Sequence, residues 1–512
     1  MEKTAEKLKV NESLLKTVLC SATFWGLLAH GMVLFNKYSF HDDVRYFNEV
    51  GATYESGRWM LGILGSLSAN LLGSKNYSLP VVNGTITILC IAAIVYLLAD
   101  SLRIQSKPLV ILLCGSMVTF PSVTGTFSYM FTAPYYYAAS LLGVVGAWIF
   151  HRKKNVVALL LCTVLMACSV GVYQANIPVC ICTLLLYMME DIRQSDMNWK
   201  AFWKMALCNA TVCIGFVTEY FLVNQYFLNQ FGVVLTDYKG INHFGRTNLS
   251  NYIYRILCGY GSFFYPSTAV EDFSARYVYT LLIIVTAIIA IFVLRKMYIL
   301  KTPKGCQTLL ILIAYPIAAC FVYLMVEPWD VHAVMTFGQA FAFALVVWFI
   351  DKYPEDRTKV EGALCKAAVA LLGVLVTLNI RYSNILYLKA DVMQTQMISY
   401  YTTLITRIES IEGYTEDAQV VYIGEYDKHD KNLVGISEYF DDLDLATYKG
   451  EPIFNDYAWK EAMEFWCGFA PELGDAAEFD GNAEVASMPC YPDQGSIRCI
   501  NGKIVVKFAD EP

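Results

Sequence analysis

The chain has 512 residues, 56% of them hydrophobic and only 16% charged. A soluble fold carries about 25% charged residues and lacks apolar runs of bilayer length, so soluble, fibrous and disordered classes are excluded. The formal charge of −7 is unevenly placed, because residues 391–512 hold 24 Asp and Glu against 8 Lys and Arg. The remainder is apolar and net basic, the tail is acidic and free of spans, and neither part reads as a nucleic-acid binder.

Apolar runs of roughly 20 residues read as spans, shorter ones being accepted inside a bundle. Eleven follow in order, at 15–37, 79–100, 108–121, 127–150, 156–172, 177–189, 201–224, 276–294, 306–326, 332–350 and 363–380. Lys3, Lys7 and Lys9 flank the first as they would an uncleaved signal anchor. Basic residues occupy every second connection: Arg103 and Lys107, Arg152 to Lys154, Arg193 and Lys200, Arg295 to Lys304, and Lys352 to Lys366. These are assigned to the cytoplasm with the N-terminus, which leaves 38–78 and 225–275 as external loops. An odd number of spans then puts the tail outside as well. The expected division is a membrane domain over 1–385 and an extracytoplasmic domain over 386–512.

The tail alternates helix and strand signals. Residues 392–411 suit an amphipathic helix, Val420 to Ile423 a buried strand, 457–467 a second helix, and Ile504, Val505 and Val506 a terminal strand, together a small α/β domain. Thirteen of the sixteen cysteines precede residue 381, scattered through spans as packing residues. Cys490 and Cys499 flank a turn-rich stretch that a hairpin disulfide could close, and the odd third cysteine, Cys467, weighs against it.

The chemistry concentrates in the first external loop. His41-Asp42-Asp43-Val44-Arg45 is followed by Gly57-Arg58-Trp59 and by an apolar stretch at 59–72, whose 14 residues suit an interfacial helix better than a span. Glycosyl transfer needs such carboxylates, because a sugar hydroxyl is a poor nucleophile until a positioned base takes its proton. Arg45 and Arg58 could hold a phosphate. The plainer reading is a solvated loop whose charges pair with one another.

The order of one span, His-Asp-Asp, Gly-Arg-Trp before an interfacial helix, Tyr173-Gln174-Ala175 at an outer helix end, and a soluble tail resembles the bacterial and phage serotype-conversion glucosyltransferases, the type-two Gtr family. Tyr238-Lys239-Gly240-Ile241-Asn242, Tyr260 to Phe264, Tyr400 to Ile408 and Met488 to Lys507 are similar as well. The resemblance implies a GT-C-like polytopic α-helical membrane protein with a small C-terminal extracytoplasmic α/β domain. It implies transfer of a hexose, glucose by the family's name, from a polyprenyl-phosphate-linked donor to a cell-envelope glycan on the outer face of the cytoplasmic membrane. Asp42 or Asp43 is then the base, its neighbour orients it, and Arg45, Arg58, Lys239, Arg246 and Arg255 are the donor-phosphate ligands, with Arg276 a weaker candidate.

Glu327 and Asp330 form a second acidic turn that could bind the acceptor or a divalent metal. The alternative there is a Pro-containing turn with Trp329 as an interfacial aromatic. No motif requires a cofactor. Two other classes fit the partners: a transporter or flippase of lipid-linked sugars, which would place ionisable groups deep in its spans, and a non-catalytic envelope assembly protein, in which Asp42 and Asp43 would be replaceable.

Overall fold

Asparagine and proline set most of the helix starts. In the computed structural model, described over residues 11–236, 248–266, 275–298, 303–354, 357–425, 439–440, 443–448 and 457–510, the helices run in chain order. They are α1 (Glu12–Phe35), α2 (Asp42–Arg45), α3 (Trp59–Leu72), α4 (Pro80–Ser101), α5 (Lys107–Val118), α6 (Pro121–Phe127), α7 (Ala133–Lys153) and α8 (Val156–Val172). There follow α9 (Ile177–Gln194), α10 (Trp199–Phe231), α11 (Leu249–Phe264), α12 (Ala275–Tyr298), α13 (Pro303–Ala319), α14 (Val322–Met325), α15 (Ala342–Asp351) and α16 (Lys359–Glu409). Asn11, Asn155, Asn198 and Asn248 cap α1, α8, α10 and α11, each side-chain oxygen accepting from a first-turn N–H. Proline opens α4, α5, α6, α7 and α9, where its missing N–H costs no helical bond.

The chain divides into two compact units, Met1–Lys37 with Asn48–Asn384, and Tyr38–Phe47 with Ile385–Pro512. In the first, α7 packs against α8, α4 and α9. Small residues allow the approach, since a Cβ on Gly143 would lie 2.7 Å from Cys180 Sγ and one on Gly146 would lie 3.2 Å from the Cys162 carbonyl. Polar groups inside the bundle find partners: His30 Nε2 lies 3.0 Å from the Val118 carbonyl, and fully buried Glu190 accepts from Arg193, Gln194 and Trp348.

Among the described residues, seven helices are long and apolar enough to cross a membrane: α1, α4, α7, α9, α10, α12 and α16. An eighth is added if α5 and α6, bent by 43°, form one span. The protein is thus a multi-pass membrane protein, in which some of the eleven expected runs form single helices and others are broken. α8 coincides with the expected run at 156–172, whereas the run at 306–326 is divided between α13, which carries Pro316 inside, and α14. The run at 332–350 breaks into 3-10 turns at Ala333–Met335 and Phe337–Phe341 before α15 begins, where buried Gln339 donates to Ser262 Oγ at 3.1 Å. The 225–275 segment, expected as a loop, contains the end of α10 and the amphipathic α11, whose buried residues Arg255, Gly259, Ser262 and Phe263 share one helical face.

In the second unit, α16 supplies residues from Ile385 onward, so the expected span at 363–380 and the expected helix at 392–411 are one continuous 51-residue helix. β1 (Val420–Ile423), α17 (Trp459–Cys467), α18 (Ala483–Ala486), β2 (Ile497–Ile500) and β3 (Lys503–Lys507) complete it. The sheet order is β1-β3-β2, with β1 parallel and β2 antiparallel to β3. Val421, Val505, Ile500, Phe479, Val485 and Met488 form its core. Lys507 is buried and donates to the carbonyls of Val485 and Met488 at 3.2 and 2.8 Å, closing the end of α18. No disulfide joins Cys490 to Cys499; both are thiols.

Candidate functional site

The His-Asp-Asp segment belongs to the second unit. Phe47 packs on Phe465 at 4.9 Å, Trp466 Nε1 donates to the Ser39 carbonyl at 3.3 Å, and the Ser39 N–H donates to Gln394 Oε1 at 3.4 Å. These contacts fix α2 and separate its two carboxylates. Asp43 is fully buried and accepts from Ser39 Oγ at 2.5 Å. Tyr448 lies near it, its hydroxyl pKa raised well above the ordinary value by burial first and by Asp43 second. Asp42 stays partly exposed, with one oxygen 2.9 Å from His41 Nδ1.

A carboxylate only accepts, so His41 Nδ1–H donates to Asp42 and the Nε2 lone pair points elsewhere. His41 takes φ +52°, the left-handed region an L-residue rarely adopts, and its ring stacks on Tyr457 at 4.6 Å. Arg45 is exposed, its guanidinium 4.9 Å from the centroid of the same Tyr457 ring. Burial, then Tyr457, pushes Tyr46 up to about 12, and burial, then Asp391, does the same to Tyr38. The two aspartates therefore do not form an equivalent pair: one is held inside the unit and the other orients an imidazole. His41 was readable as part of the motif but not as a partner, because a His-Asp dipeptide shows its pairing only once the backbone turns.

In the first unit the Gly-Arg-Trp and Tyr-Gln-Ala motifs meet. Gln174 Nε2 donates to the Ser56 carbonyl at 2.8 Å and to Tyr220 Oη at 3.1 Å, and Tyr220 Oη donates to the Gly57 carbonyl at 3.1 Å. Gly57 has φ +69°, and a Cβ there would sit 2.7 Å from Tyr220 Oη. Arg58, the residue before α3, lies 5.4 and 5.9 Å over the rings of Tyr173 and Tyr136, which stack on each other at 4.2 Å. A small cavity of about 40 Å³ opens beside it, lined by Ser56, Arg58, Tyr173, Gln174, Val322 and Met325 among others. Along α3, a groove of about 410 Å³ runs between Leu64, Leu67, Leu71, Val82 and Ile86, and the hydrogen-bonded set Ser68, Asn76 and Tyr135 also lines it.

Arg255 is buried and ion-paired with Glu327, and its Nη1 lies 3.4 Å from the Leu324 carbonyl. Both arginines thus border the 322–327 segment, but with different freedom. Glu327 already neutralises Arg255, so a phosphate there has to share the guanidinium with a carboxylate, and Glu327 faces Arg255 instead of an acceptor or a metal. Asp330 closes the 3-10 turn Pro328–Asp330, its N–H donating to the Glu327 carbonyl at 2.9 Å, and Trp329 is exposed as an interfacial aromatic would be. Arg276, at the start of α12, lies 5.3 Å over Tyr265. Lys239 and Arg246 lie outside the described residues. Among the described residues, no three His, Cys, Asp or Glu side chains gather as a metal site.

Membrane-length helices define a multi-pass membrane protein, with an imidazole–carboxylate pair in one unit and an arginine held on aromatic faces in the other. The chain belongs to the GtrII glucosyl transferase family, whose model matches residues 31–343, and it is a glycosyltransferase by class. The matched region contains His41, Asp42, Asp43, Arg45, Arg58, Tyr173, Gln174, Arg255 and Glu327 and ends before the tail. No curated protein and no solved structure matches the chain.

Proposed function

We propose that this glycosyltransferase moves a hexose, glucose by its family, from a polyprenyl-phosphate carrier to a cell-envelope polysaccharide at the outer face of the bacterial cytoplasmic membrane. The N-terminus is cytoplasmic and the acidic unit extracytoplasmic, as the placement of basic connections supports. A lipid carrier is then required, because the sugar has to be presented on the side away from nucleotide-sugar synthesis.

The observation that carries this reading is the His41–Asp42 pair: partly exposed, inside the matched region, and oriented so that His41 Nε2 accepts a proton. The acceptor hydroxyl oxygen attacks the anomeric carbon, and the bond from that carbon to the phosphate oxygen breaks. The electron pair leaves on the phosphate, and the hydroxyl proton passes to His41 Nε2, whose imidazolium Asp42 stabilises. Arg58 is the preferred phosphate ligand of the first unit, and Arg45 is that of the second. The groove along α3 suits an isoprenoid chain, being lined mostly by apolar side chains.

The test is direct. Purified protein supplied with polyprenyl-phosphoryl [14C]glucose and a cell-envelope glycan should label the glycan and release polyprenyl phosphate in equal amounts. Label that stays on the lipid, with carrier redistributed across vesicles, would identify a transporter instead.

A further inference from the structure

The end of the first unit opposite Arg58 carries a second cavity. α8 runs 17 residues from Val156 to the Tyr173 end, which is about 26 Å at 1.5 Å per residue. Around its start, a cavity of about 470 Å³ lies between the ends of α7, α8, α9 and α10. Its rim holds His151, Lys154, Asp191 and Lys204, and its wall includes Phe150, Leu159, Leu184 and Met188.

Lys154 Nζ lies 2.7 Å from Asp191, and His151 Nδ1 lies 3.6 Å from the same carboxylate. Lys154 and Lys204 line the cavity against the single carboxylate of Asp191, so the lysines outnumber it. Two helix starts, of α8 and α10, and two helix ends, of α7 and α9, meet here, so their dipoles offset one another and the positive balance rests on the lysines. A small soluble anion would need only the rim. The apolar wall continues outward into the exposed side chains of Val156, Leu160, Trp203 and Leu207, a path a hydrocarbon chain can follow.

We propose that this cavity is a headgroup site for an anionic glycerophospholipid of the surrounding bilayer, its phosphodiester held between Lys154 and Lys204 and an acyl chain lying along α8 and α10. Charge complementarity selects the headgroup, and the apolar wall selects a lipid over a free phosphate. The site lies a helix length from the Arg58 cavity and does not depend on the transfer chemistry.

Full-length protein in detergent, stripped of lipid and then offered phosphatidylglycerol or phosphatidylcholine, can be read by native mass spectrometry. Phosphatidylglycerol should be retained in preference to phosphatidylcholine. The double variant Lys154→Gln, Lys204→Gln should retain it about tenfold less well, since each lysine near a membrane surface contributes modestly and Lys154 is partly neutralised by Asp191. Lys154→Arg with Lys204→Arg should keep the preference, which separates lost charge from lost folding. Equal retention of both lipids by the wild type, unchanged retention by the Gln variant, or displacement by inorganic phosphate alone would each overturn the proposal.

Discussion

The Ser39 hydroxyl donates to Asp43 at 2.5 Å in a fully buried setting, whereas the preceding residue, Asp42, turns toward His41 at the edge of the same unit. Adjacent carboxylates in one motif thus have opposite surroundings, and that contrast decides what substitution at each should do.

Asp43→Ala should act on folding. Removing a buried charged acceptor strands the Ser39 hydroxyl and leaves a small void, at a cost of about 1 to 3 kcal/mol. Ser39→Ala should cost less, and the two changes should not add, because they delete the same bond. Thermal unfolding of the purified protein measures both. Full stability in Asp43→Ala would mean that the carboxylate is not held as described.

Glu327→Ala should be more damaging than its partial exposure suggests, because Arg255 is only 3% exposed and would be left charged without its carboxylate. Breaking a buried pair from one side costs about 3 to 5 kcal/mol, tempered here by the exposed half of the pair. Arg255→Met combined with Glu327→Met should recover part of the loss, read as expression level and melting temperature. If Glu327→Ala alone melts like the wild type, the pair is not structural and Arg255 becomes a stronger phosphate candidate.

Much of this was legible in the sequence, and the remainder has identifiable physical reasons. Local periodicity located most long helices and both of the tail strands that were expected, Val420–Ile423 and the one around Ile504. β2 was missed, although Asn501-Gly502 between two apolar runs is a hairpin signal, and both residues take positive φ, +53° and +78°. The apolar run at 332–350 reads as a span because hydropathy does not register its 3-10 turns or the buried Gln339, whose amide donates to Ser262. The joining of Gly57-Arg58-Trp59 to Tyr173-Gln174-Ala175 uses direct contacts, Arg58 over Tyr173 and Gln174 to the Ser56 carbonyl, together with Tyr220, and no local pattern connects these distant stretches of chain.

Arg58 should behave as a donor-binding residue. Arg58→Gln should raise the KM for polyprenyl-phosphoryl glucose by at least about tenfold, as expected for loss of a charge-assisted phosphate contact. Arg58→Lys should restore little, because an ammonium cannot reproduce the planar stack over Tyr173 and Tyr136. Steady-state kinetics over a range of donor concentrations separates the two variants. An unchanged KM in Arg58→Gln would return the residue to a packing role.

Alkaline titration should weaken the second unit. Tyr38 and Tyr46 titrate at about 12 when folded against 10.0 for an ordinary tyrosine, so between these values the unfolded chain loses protons that the folded chain keeps. Their contribution to stability is fully present below pH 10 and is lost as pH rises toward 12. Tyrosinate absorbance near 295 nm, followed together with near-UV dichroism, should show a late fraction of ionisation that coincides with loss of tertiary signal. Ionisation of every tyrosine near pH 10 without unfolding would contradict the burial of these hydroxyls.

Asp42→Asn should leave the fold intact and remove most of the transfer rate. The amide keeps the shape of the carboxylate, but it can present its NH2 to His41, and it cannot stabilise the imidazolium that forms as the acceptor oxygen loses its proton. General-base assistance is worth about 10² to 10⁴ in rate, so kcat should fall within that range with little change in the donor KM. His41→Ala should produce a similar loss, and the double variant should be no worse than either single one, because the two residues work as one base. His41→Gln tests the positioning contact apart from basicity, since an amide can still hydrogen-bond to Asp42 but cannot take the proton at neutral pH. Wild-type rates in Asp42→Asn, together with a large loss in a folded Asp43→Asn, would reverse the assignment of the two carboxylates and require that Asp43 becomes accessible when substrate binds.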